Sequence, residues 1–231
     1  MYKRQQLVSI KDQLGRVKRF EYDAKDRRIR EINPAGGIRQ IVYDANDRVT
    51  ATVDENGHRT EAVFRSDGLV ETLIDPRGYS QHFTFDAAGN RTSVTDQNGH
   101  TTLFGWDNMD RIVQMTDARG GIWLATWDAV GNKTSFTDAN GHSTSYGFDA
   151  MNRNIQTTDA LGGTSHQTYD HMGNVVSATD ANGHTGFLEY DERHQLIRTT
   201  DAAGFDKTWA YDPLGNITSF TDELGHSTTF E

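Results

Sequence analysis

The sequence predicts an all-β fold, an array of 21-residue antiparallel β-hairpin repeats that fills all 231 residues. The first observation is a column of aromatic residues spaced by 21. Its members are Tyr22, Tyr43, Phe64, Phe85, Trp106, Trp127, Phe148, Tyr169, Tyr190 and Tyr211. The second observation is a column of glycines with the same period. Its members are Gly15, Gly36, Gly57, Gly78, Gly99, Gly120, Gly141, Gly162, Gly183, Gly204 and Gly225.

Each repeat also carries two turn signals, about half a repeat apart. Aspartate follows the aromatic residue in every copy except the one with Arg65, and Gly, Asp, Asn or His stands three residues later. Aspartate also stands three residues before each glycine of the second column, with Asn33 as the substitute. Asp at the first turn position accepts backbone N–H bonds, and Gly or Asn at the fourth adopts a positive φ at low cost. Both segments are therefore predicted to be tight turns.

The segments between the turns are short and show the period of β-strands. Phe83 and Phe85 are separated by one residue, as are Val113 and Met115, and helical periodicity is absent. Eleven hairpins would give roughly 20 strands, or about 100 Å of sheet at ~4.8 Å per strand. Because open sheets of that width are rare, we expect a curved or spiralling sheet with the aromatic column stacked on one face.

A longer period is superimposed on the first. Histidine follows the invariant glycine in alternate repeats, at His58, His100, His142, His184 and His226. Tyr79, Gly121, Gly163 and Phe205 occupy the same position in the repeats between them. The sequence thus predicts a single domain over residues 1–231 with a 42-residue super-repeat.

Composition excludes several classes of protein. Hydrophobic residues make up 35%, mean hydropathy is −0.72, and no apolar run reaches the ~20 residues of a membrane span. There are no cysteines, which excludes disulfide scaffolds, cysteine zinc sites and thiol catalysis. The net charge of −10 argues against nucleic acid as a partner, although much of the acidity comes from the two turn columns.

The turn motifs resemble those of a known family. Tyr43-Asp44-Ala45-Asn46-Asp47-Arg48-Val49, Phe85-Asp86-Ala87-Ala88-Gly89-Asn90-Arg91 and Tyr211-Asp212-Pro213-Leu214-Gly215-Asn216-Ile217 are similar to the YD repeat of Rhs proteins, toxin-complex C components and teneurins. The resemblance implies a spiralling β-shell that encloses a C-terminal toxin, or an extracellular adhesion module. It further implies a secreted or cell-surface location, with a toxin polypeptide or the rest of the shell as partner.

The resemblance does not extend to self-cleavage. Asp75-Pro76-Arg77-Gly78 and Asp212-Pro213-Leu214-Gly215 match only the first letters of the segment at which Rhs cores release their cargo. Both continue as ordinary repeats. Since the sequence begins and ends at the same phase of the repeat, we expect a segment of a longer array. Open sheet edges would then favour homo-oligomers.

No catalytic, cofactor-binding or metal-ligating residue is predicted. The aspartate columns suit calcium chemically, but turn capping accounts for them and for Asn33. Successive histidines lie about four strands, or ~19 Å, apart, which metal–nitrogen bonds of ~2.1 Å cannot span. No G-x-S-x-G, H-E-x-x-H or P-loop motif occurs. The sequence therefore does not predict an enzyme.

The aromatic column allows two interpretations. Inter-repeat packing is the first, and a carbohydrate platform is the alternative, because sugars stack on exposed Tyr and Trp rings. Trp123 and Trp209 lie outside the column and have no assigned role. The leading hypothesis is a structural shell segment that encapsulates a toxin in the full-length protein. The alternative is an extracellular or wall-associated carbohydrate-binding module.

Overall fold

The computed structural model describes residues 6–230, and its contacts divide the chain into two units, Met1–Gly120 and Gly121–Glu231. The first unit contains β1 (Ser9–Lys11), β2 (Val17–Tyr22), β3 (Arg28–Ile32), β4 (Ile38–Tyr43), β5 (Val49–Val53), β6 (Arg59–Phe64), β7 (Val70–Ile74), β8 (Ser80–Phe85), β9 (Arg91–Thr95), β10 (Thr101–Trp106) and β11 (Ile112–Thr116). The second contains β12 (Ile122–Trp127), β13 (Lys133–Thr137), β14 (Ser143–Phe148), β15 (Asn154–Thr158), β16 (Thr164–Tyr169), β17 (Val175–Thr179), β18 (Thr185–Tyr190), β19 (Leu196–Thr200), β20 (Asp206–Tyr211), β21 (Ile217–Thr221) and β22 (Ser227–Thr229).

Each unit is an antiparallel meander. Within a unit, every strand other than the first and the last pairs with the strands before and after it in the sequence, as β9 does with β8 and β10. A repeat consists of a six-residue strand, a turn, a five-residue strand and a second turn. The predicted all-β fold of 21-residue hairpin repeats is confirmed. In the described part of the chain, no helix has the length and apolar character needed to cross a membrane.

The turns follow one backbone plan. In the turn after β9, the Gly99 N–H donates to the Asp96 carbonyl at 3.0 Å, and the Asp96 N–H donates to the His100 carbonyl at 2.9 Å. Gly99 has φ of 82°, in the left-handed region where glycine carries no Cβ penalty. This is a type I turn followed by a left-handed residue, a common three-residue hairpin loop. The sequence signals therefore identified both kinds of turn correctly.

The two hairpins of a repeat differ by a β-bulge. Trp106 pairs with Ile112, whereas the preceding Gly105 pairs with Gln114, so Val113 is the extra residue. The same register shift recurs in each hairpin that follows an aromatic residue, including β4–β5 and β16–β17. The extra residue lies on the five-residue strand of the hairpin, and the bulge increases the local twist.

The strands present two chemically distinct faces. We call one the aromatic face: it carries the aromatic column, the residue two positions before each member, and their cross-strand partners, such as Phe104 opposite Met115. The hydroxyl face lies on the other side and carries Ser and Thr pairs. Its hydrogen bonds include Thr84 to Ser93 at 2.6 Å and Thr95 to Thr101 at 2.8 Å.

Burial is shallow throughout the described residues. Only Phe20, Ala51, Glu31 and Ser93 are buried, and no large side chain is fully enclosed. Within each unit, no second layer of chain covers either face, and every member of the aromatic column is half-buried. The stability of each unit therefore comes from contacts between neighbouring hairpins and not from a central core.

Candidate functional site

The aspartate after each aromatic residue closes its own turn. Asp44 Oδ1 accepts the backbone N–H groups of Asn46 at 2.8 Å and Arg48 at 3.0 Å. Its Oδ2 accepts Nε of Arg48 at 2.7 Å. The backbone N–H of Arg48 is the largest influence that lowers the pKa of the Asp44 carboxyl, and the guanidinium of Arg48 adds to it. Both oxygens of the carboxylate thus accept hydrogen bonds from donors of its own turn.

The arginine of the turn extends to the next repeat. Arg48 Nη1 donates to the carbonyl of Arg65 at 3.0 Å, and its guanidinium carbon lies 4.7 Å from the ring centroid of Phe64. The same two contacts connect Arg27 to Asp44 and Tyr43, and Arg153 to Asp170 and Tyr169. Each of these arginines holds successive turns in register by a hydrogen bond and a cation–π contact.

From Asn90 to Asn174, asparagine replaces this arginine in alternate repeats and follows the 42-residue period. Asn132 Nδ2 donates to Asn152 Oδ1 at 3.0 Å, and Asn90 Nδ2 donates to Asp110 Oδ1 at 2.6 Å. Both receiving residues occupy the left-handed position of the next turn, with φ of 61° and 57°. In these repeats a polar side chain at that position is therefore paired with an asparagine one repeat earlier, whereas Asp47 in the second repeat pairs with Arg27 instead.

Several members of the aromatic column have contacts at the ring face or hydrogen bonds at the ring edge. The hydroxyls of Tyr43 and Tyr169 donate to the carbonyls of Arg28 at 3.0 Å and Asn154 at 2.7 Å, and Trp106 Nε1 donates to the Arg91 carbonyl at 2.9 Å. Cations cover the rings of Tyr43, Phe64, Phe85 and Tyr169. This geometry favours the packing interpretation. The alternative interpretation, that the aromatic column binds carbohydrate, stays a prediction.

The histidine series is part of the turns. His58 Nδ1 lies 2.9 Å from Asp54 Oδ2, and the equivalent pairs are His100–Asp96, His142–Asp138, His184–Asp180 and His226–Asp222, at 3.0–3.1 Å. In each pair the pKa of the aspartate is lowered, chiefly by the backbone N–H of the histidine. Within residues 6–230, no three His, Asp or Glu side chains are grouped so as to hold a metal ion.

Asn33 shows that the turn does not require a carboxylate. Its Oδ1 accepts the backbone N–H groups of Ala35 at 3.0 Å and Gly37 at 2.8 Å, which are the two bonds that aspartate makes elsewhere. Turn capping therefore accounts for the column of aspartates that stand three residues before each invariant glycine, as the sequence predicted.

The aromatic face of β7–β11 contains an apolar groove that the sequence analysis missed. Its volume is about 460 Å³, and Phe83, Phe104 and Trp106 form its principal walls, with Leu73 beside them. The guanidinium of Arg91 lies 5.9 Å from the ring of Phe83 and 5.1 Å from that of Phe104. The available signal was the occurrence of Phe in two successive repeats, two residues before the aromatic column.

A second unpredicted feature lies on the aromatic face of β2–β4. Glu31, 8% exposed, accepts Lys18 Nζ at 2.7 Å and Arg28 Nη2 at 3.0 Å, and Arg39 stands opposite it across the sheet. Lys18 and Arg28 also lie 5.3 and 5.5 Å from the ring centroid of Phe20. We call Lys18, Arg28 and Arg39 the cationic patch. Its sequence signal was a concentration of twelve of the 23 Lys and Arg residues in residues 1–50.

Comparison with solved structures finds toxin-complex proteins. The chain is similar to one in the pore structure of a Photorhabdus luminescens Tc holotoxin carrying a TccC3 mutation, with 15% identity and a TM-score of 0.47. It is also similar to a TcdB2-TccC3-Cdc42 crystal structure, with 14% identity and a TM-score of 0.40. Both matches cover 90% of this chain but only 14% and 18% of the matched chains. No curated protein sequence matches significantly.

A family model also matches the chain. The model described as RHS Repeat matches residues 3–38, 66–99, 85–122, 127–164, 154–185 and 169–207, which together make up well over half of the chain. These segments contain seven of the ten members of the aromatic column, together with the turns that follow them, whereas Tyr43, Phe64 and Tyr211 lie outside. The resemblance that the sequence suggested is confirmed, and the chain belongs to the RHS repeat family.

Proposed function

We propose that this chain is a structural wall segment of an Rhs shell that encloses a toxin polypeptide in the full-length protein. The observation that carries the proposal is that each unit is a single-layer sheet of RHS hairpins, whose aromatic face no second layer of the same unit covers. In a wall of this kind, backbone hydrogen bonds join each strand to its neighbours. The groove around Phe83 and Phe104 offers apolar contacts to a polypeptide held against it.

The proposal assigns no enzymatic role to the chain. Its recurring aspartates and histidines are paired within individual turns, as in Asp54–His58 and Asp96–His100, and the same pair recurs in equivalent repeats. Catalysis needs a single constellation that faces a substrate. In our proposal the chain is exported with its toxin and acts by excluding solvent and proteases.

Binding of a permanently unfolded, near-neutral polypeptide to the purified chain tests this proposal. The test variant combines Phe83→Ala and Phe104→Ala, because Ala62 and Ala125 occupy the same column in other repeats. We expect binding to weaken roughly tenfold, since two apolar walls of the groove are removed.

The matched control combines Leu103→Ser and Leu124→Ser on the hydroxyl face, where Ser145 holds the equivalent position. These leucines are 51% and 44% exposed, so the control also removes apolar surface. Equal weakening in both variants would contradict the proposal. Selective binding on a glycan array that is lost in Trp106→Ala would favour the carbohydrate alternative.

We also propose that the chain associates through its outermost strands. In the described residues, β1 pairs only with β2 and β22 only with β21. Unpaired strand edges favour association with further strands. Sedimentation equilibrium should show oligomers that grow with concentration, and a monomer at every concentration would contradict this expectation.

A further inference from the structure

The aromatic face is positively charged although the chain as a whole carries −10. Its strand positions in the first unit hold Lys18, Arg28, Arg39 and Arg91 against one carboxylate, Glu31. Such an excess of positive charge on one face of an acidic protein attracts anionic groups to that face.

Three of these cations converge at one place. Lys18 and Arg28 both bind Glu31, and Arg39 stands directly opposite it on β4. Glu31 neutralises one positive charge, so the patch keeps an excess of two. The side chains of Lys18 and Arg28 retain 42% and 45% of their exposure, and Arg39 is exposed. Their unused N–H groups therefore remain available to carboxylates from outside.

The other repeats show that the fold does not need these charges. Thr60 and Thr102 occupy the column of Lys18 and Arg39, Val49 and Val70 occupy that of Arg28, and Thr52 and Leu73 occupy that of Glu31. The hairpins containing these neutral residues have the same register and turns. The cationic patch is therefore a local departure from the repeat and not a requirement of it.

We propose that the cationic patch is a docking surface for an acidic segment of a partner polypeptide. Carboxylates of that segment pair with Arg28 and Arg39, and its apolar side chains contact Ile10, which is 47% exposed beside Lys18. Charge complementarity between the patch and the segment defines the partner. This inference does not depend on the enclosure of a toxin, because it rests on the patch alone.

A polypeptide fits this surface better than a nucleic acid does. The turns flanking the patch carry Asp12, Asp23 and Asp44, each of which pairs with the arginine of its own turn, so these turns add no net positive charge to bind a continuous phosphate backbone. Phe20 is only 7% exposed and its ring already contacts two cations, so it offers no surface to a base. Separate carboxylates spaced by apolar residues avoid both obstacles.

Fluorescence anisotropy with a short labelled peptide bearing Glu and Leu at alternate positions tests the proposal. The patch variant combines Lys18→Thr, Arg28→Val, Glu31→Thr and Arg39→Thr, each taken from the same column of a nearby repeat. The control combines Arg19→Gln, Glu21→Val, Arg30→Ala and Arg59→Ile, also column residues, and removes the same charges from the hydroxyl face. We expect roughly tenfold weaker binding in the patch variant and less than about twofold in the control.

Four outcomes would overturn the proposal: no binding of the peptide, equal weakening in both variants, equal affinity for a peptide with Gln in place of Glu, or tighter binding of a single-stranded oligonucleotide of the same charge. Should the patch variant fail to fold by circular dichroism, Arg39→Thr alone provides the test. Arg39 is exposed, so this variant should fold, and we expect about threefold weaker binding. Unchanged affinity in a folded Arg39→Thr protein would contradict the proposal.

Discussion

The cationic patch of β2–β4 and the apolar groove of β7–β11 occupy equivalent columns of the same repeat but have opposite chemistry. Glu31 and Leu73 stand at the same repeat position, and each faces a residue of the aromatic face, Phe20 and Ala62 respectively. The turns of the two regions are alike in backbone hydrogen bonding and in side-chain capping, although Asn33 replaces the aspartate in the turn between β3 and β4. The turns therefore determine the hairpin, whereas the side chains of the aromatic face can differ from repeat to repeat.

The two regions also differ in what their side chains require of their neighbours. Glu31 is 8% exposed, and burying its carboxylate is tolerated because Lys18 and Arg28 bind it. Leu73 is 37% exposed and needs no partner. The patch should therefore be sensitive to the loss of a single member, whereas the groove should lose contacts gradually.

Removing the ring beneath the patch should have the largest effect. Phe20 is 7% exposed whereas Phe104 is half-buried. We expect Phe20→Ala to lower the free energy of unfolding by about 3 kcal/mol and Phe104→Ala by about 1 kcal/mol, since less contact is lost at a half-exposed site. Urea unfolding measures both values. A larger loss for Phe104→Ala would reverse the proposed order of the two regions.

Removing the patch carboxylate should have the next largest effect. We expect Glu31→Gln to lower the free energy of unfolding by about 2 kcal/mol, because Lys18, Arg28 and Arg39 then repel one another around a neutral amide. Leu73→Gln, the equivalent change in the groove, should cost less than about 1 kcal/mol at its exposed site. Adding Lys18→Thr to Glu31→Gln should restore part of the loss, and a strictly additive double variant would show that the pair is not coupled.

The shared turn chemistry predicts the smallest difference between the regions. The pKa values of Asp44 and Asp96 lie below the ordinary 3.8, so each carboxylate stabilises the fold fully above that pH and less as pH falls through the lowered value. Asp96→Asn should retain both capping bonds, as Asn33 does, without titrating. Its melting temperature should therefore decline less steeply than that of the wild type below about pH 4. An identical decline would mean that the cap does not contribute to acid sensitivity.

The turns could be predicted from the sequence because their causes are local. An aspartate that accepts two N–H groups and a residue with positive φ three positions later are recognisable in Asp96 and Gly99 alone. The family followed from the same motifs. The alternation of turns such as Gly89-Asn90 and Asp110-Arg111 was visible in the sequence. Its cause, a hydrogen bond from Asn90 to Asp110 between successive turns, is visible only in the structure.

Which side chains share a face could not be predicted from the sequence, because the extra residue of the bulge interrupts the alternation of side chains along the strand. Counting by two places Ile112 and Gln114 on one face, yet Ile112 pairs with Trp106 and Gln114 with Gly105. The groove and the patch both depend on this register. The half-burial of the aromatic column was equally hidden, since periodicity shows which residues share a face but not whether anything covers that face.

Hydroxyl-radical footprinting of the free chain tests the central claim most directly, namely that the aromatic face is an open surface of a single-layer hairpin array. The half-buried Phe83, Phe104 and Tyr169 should be oxidised readily, whereas Phe20 should be protected. The acidic peptide should slow oxidation at Ile10 and leave Leu103, on the hydroxyl face, unchanged. Uniform protection of Phe83, Phe104 and Tyr169 in the free monomeric chain would contradict the account.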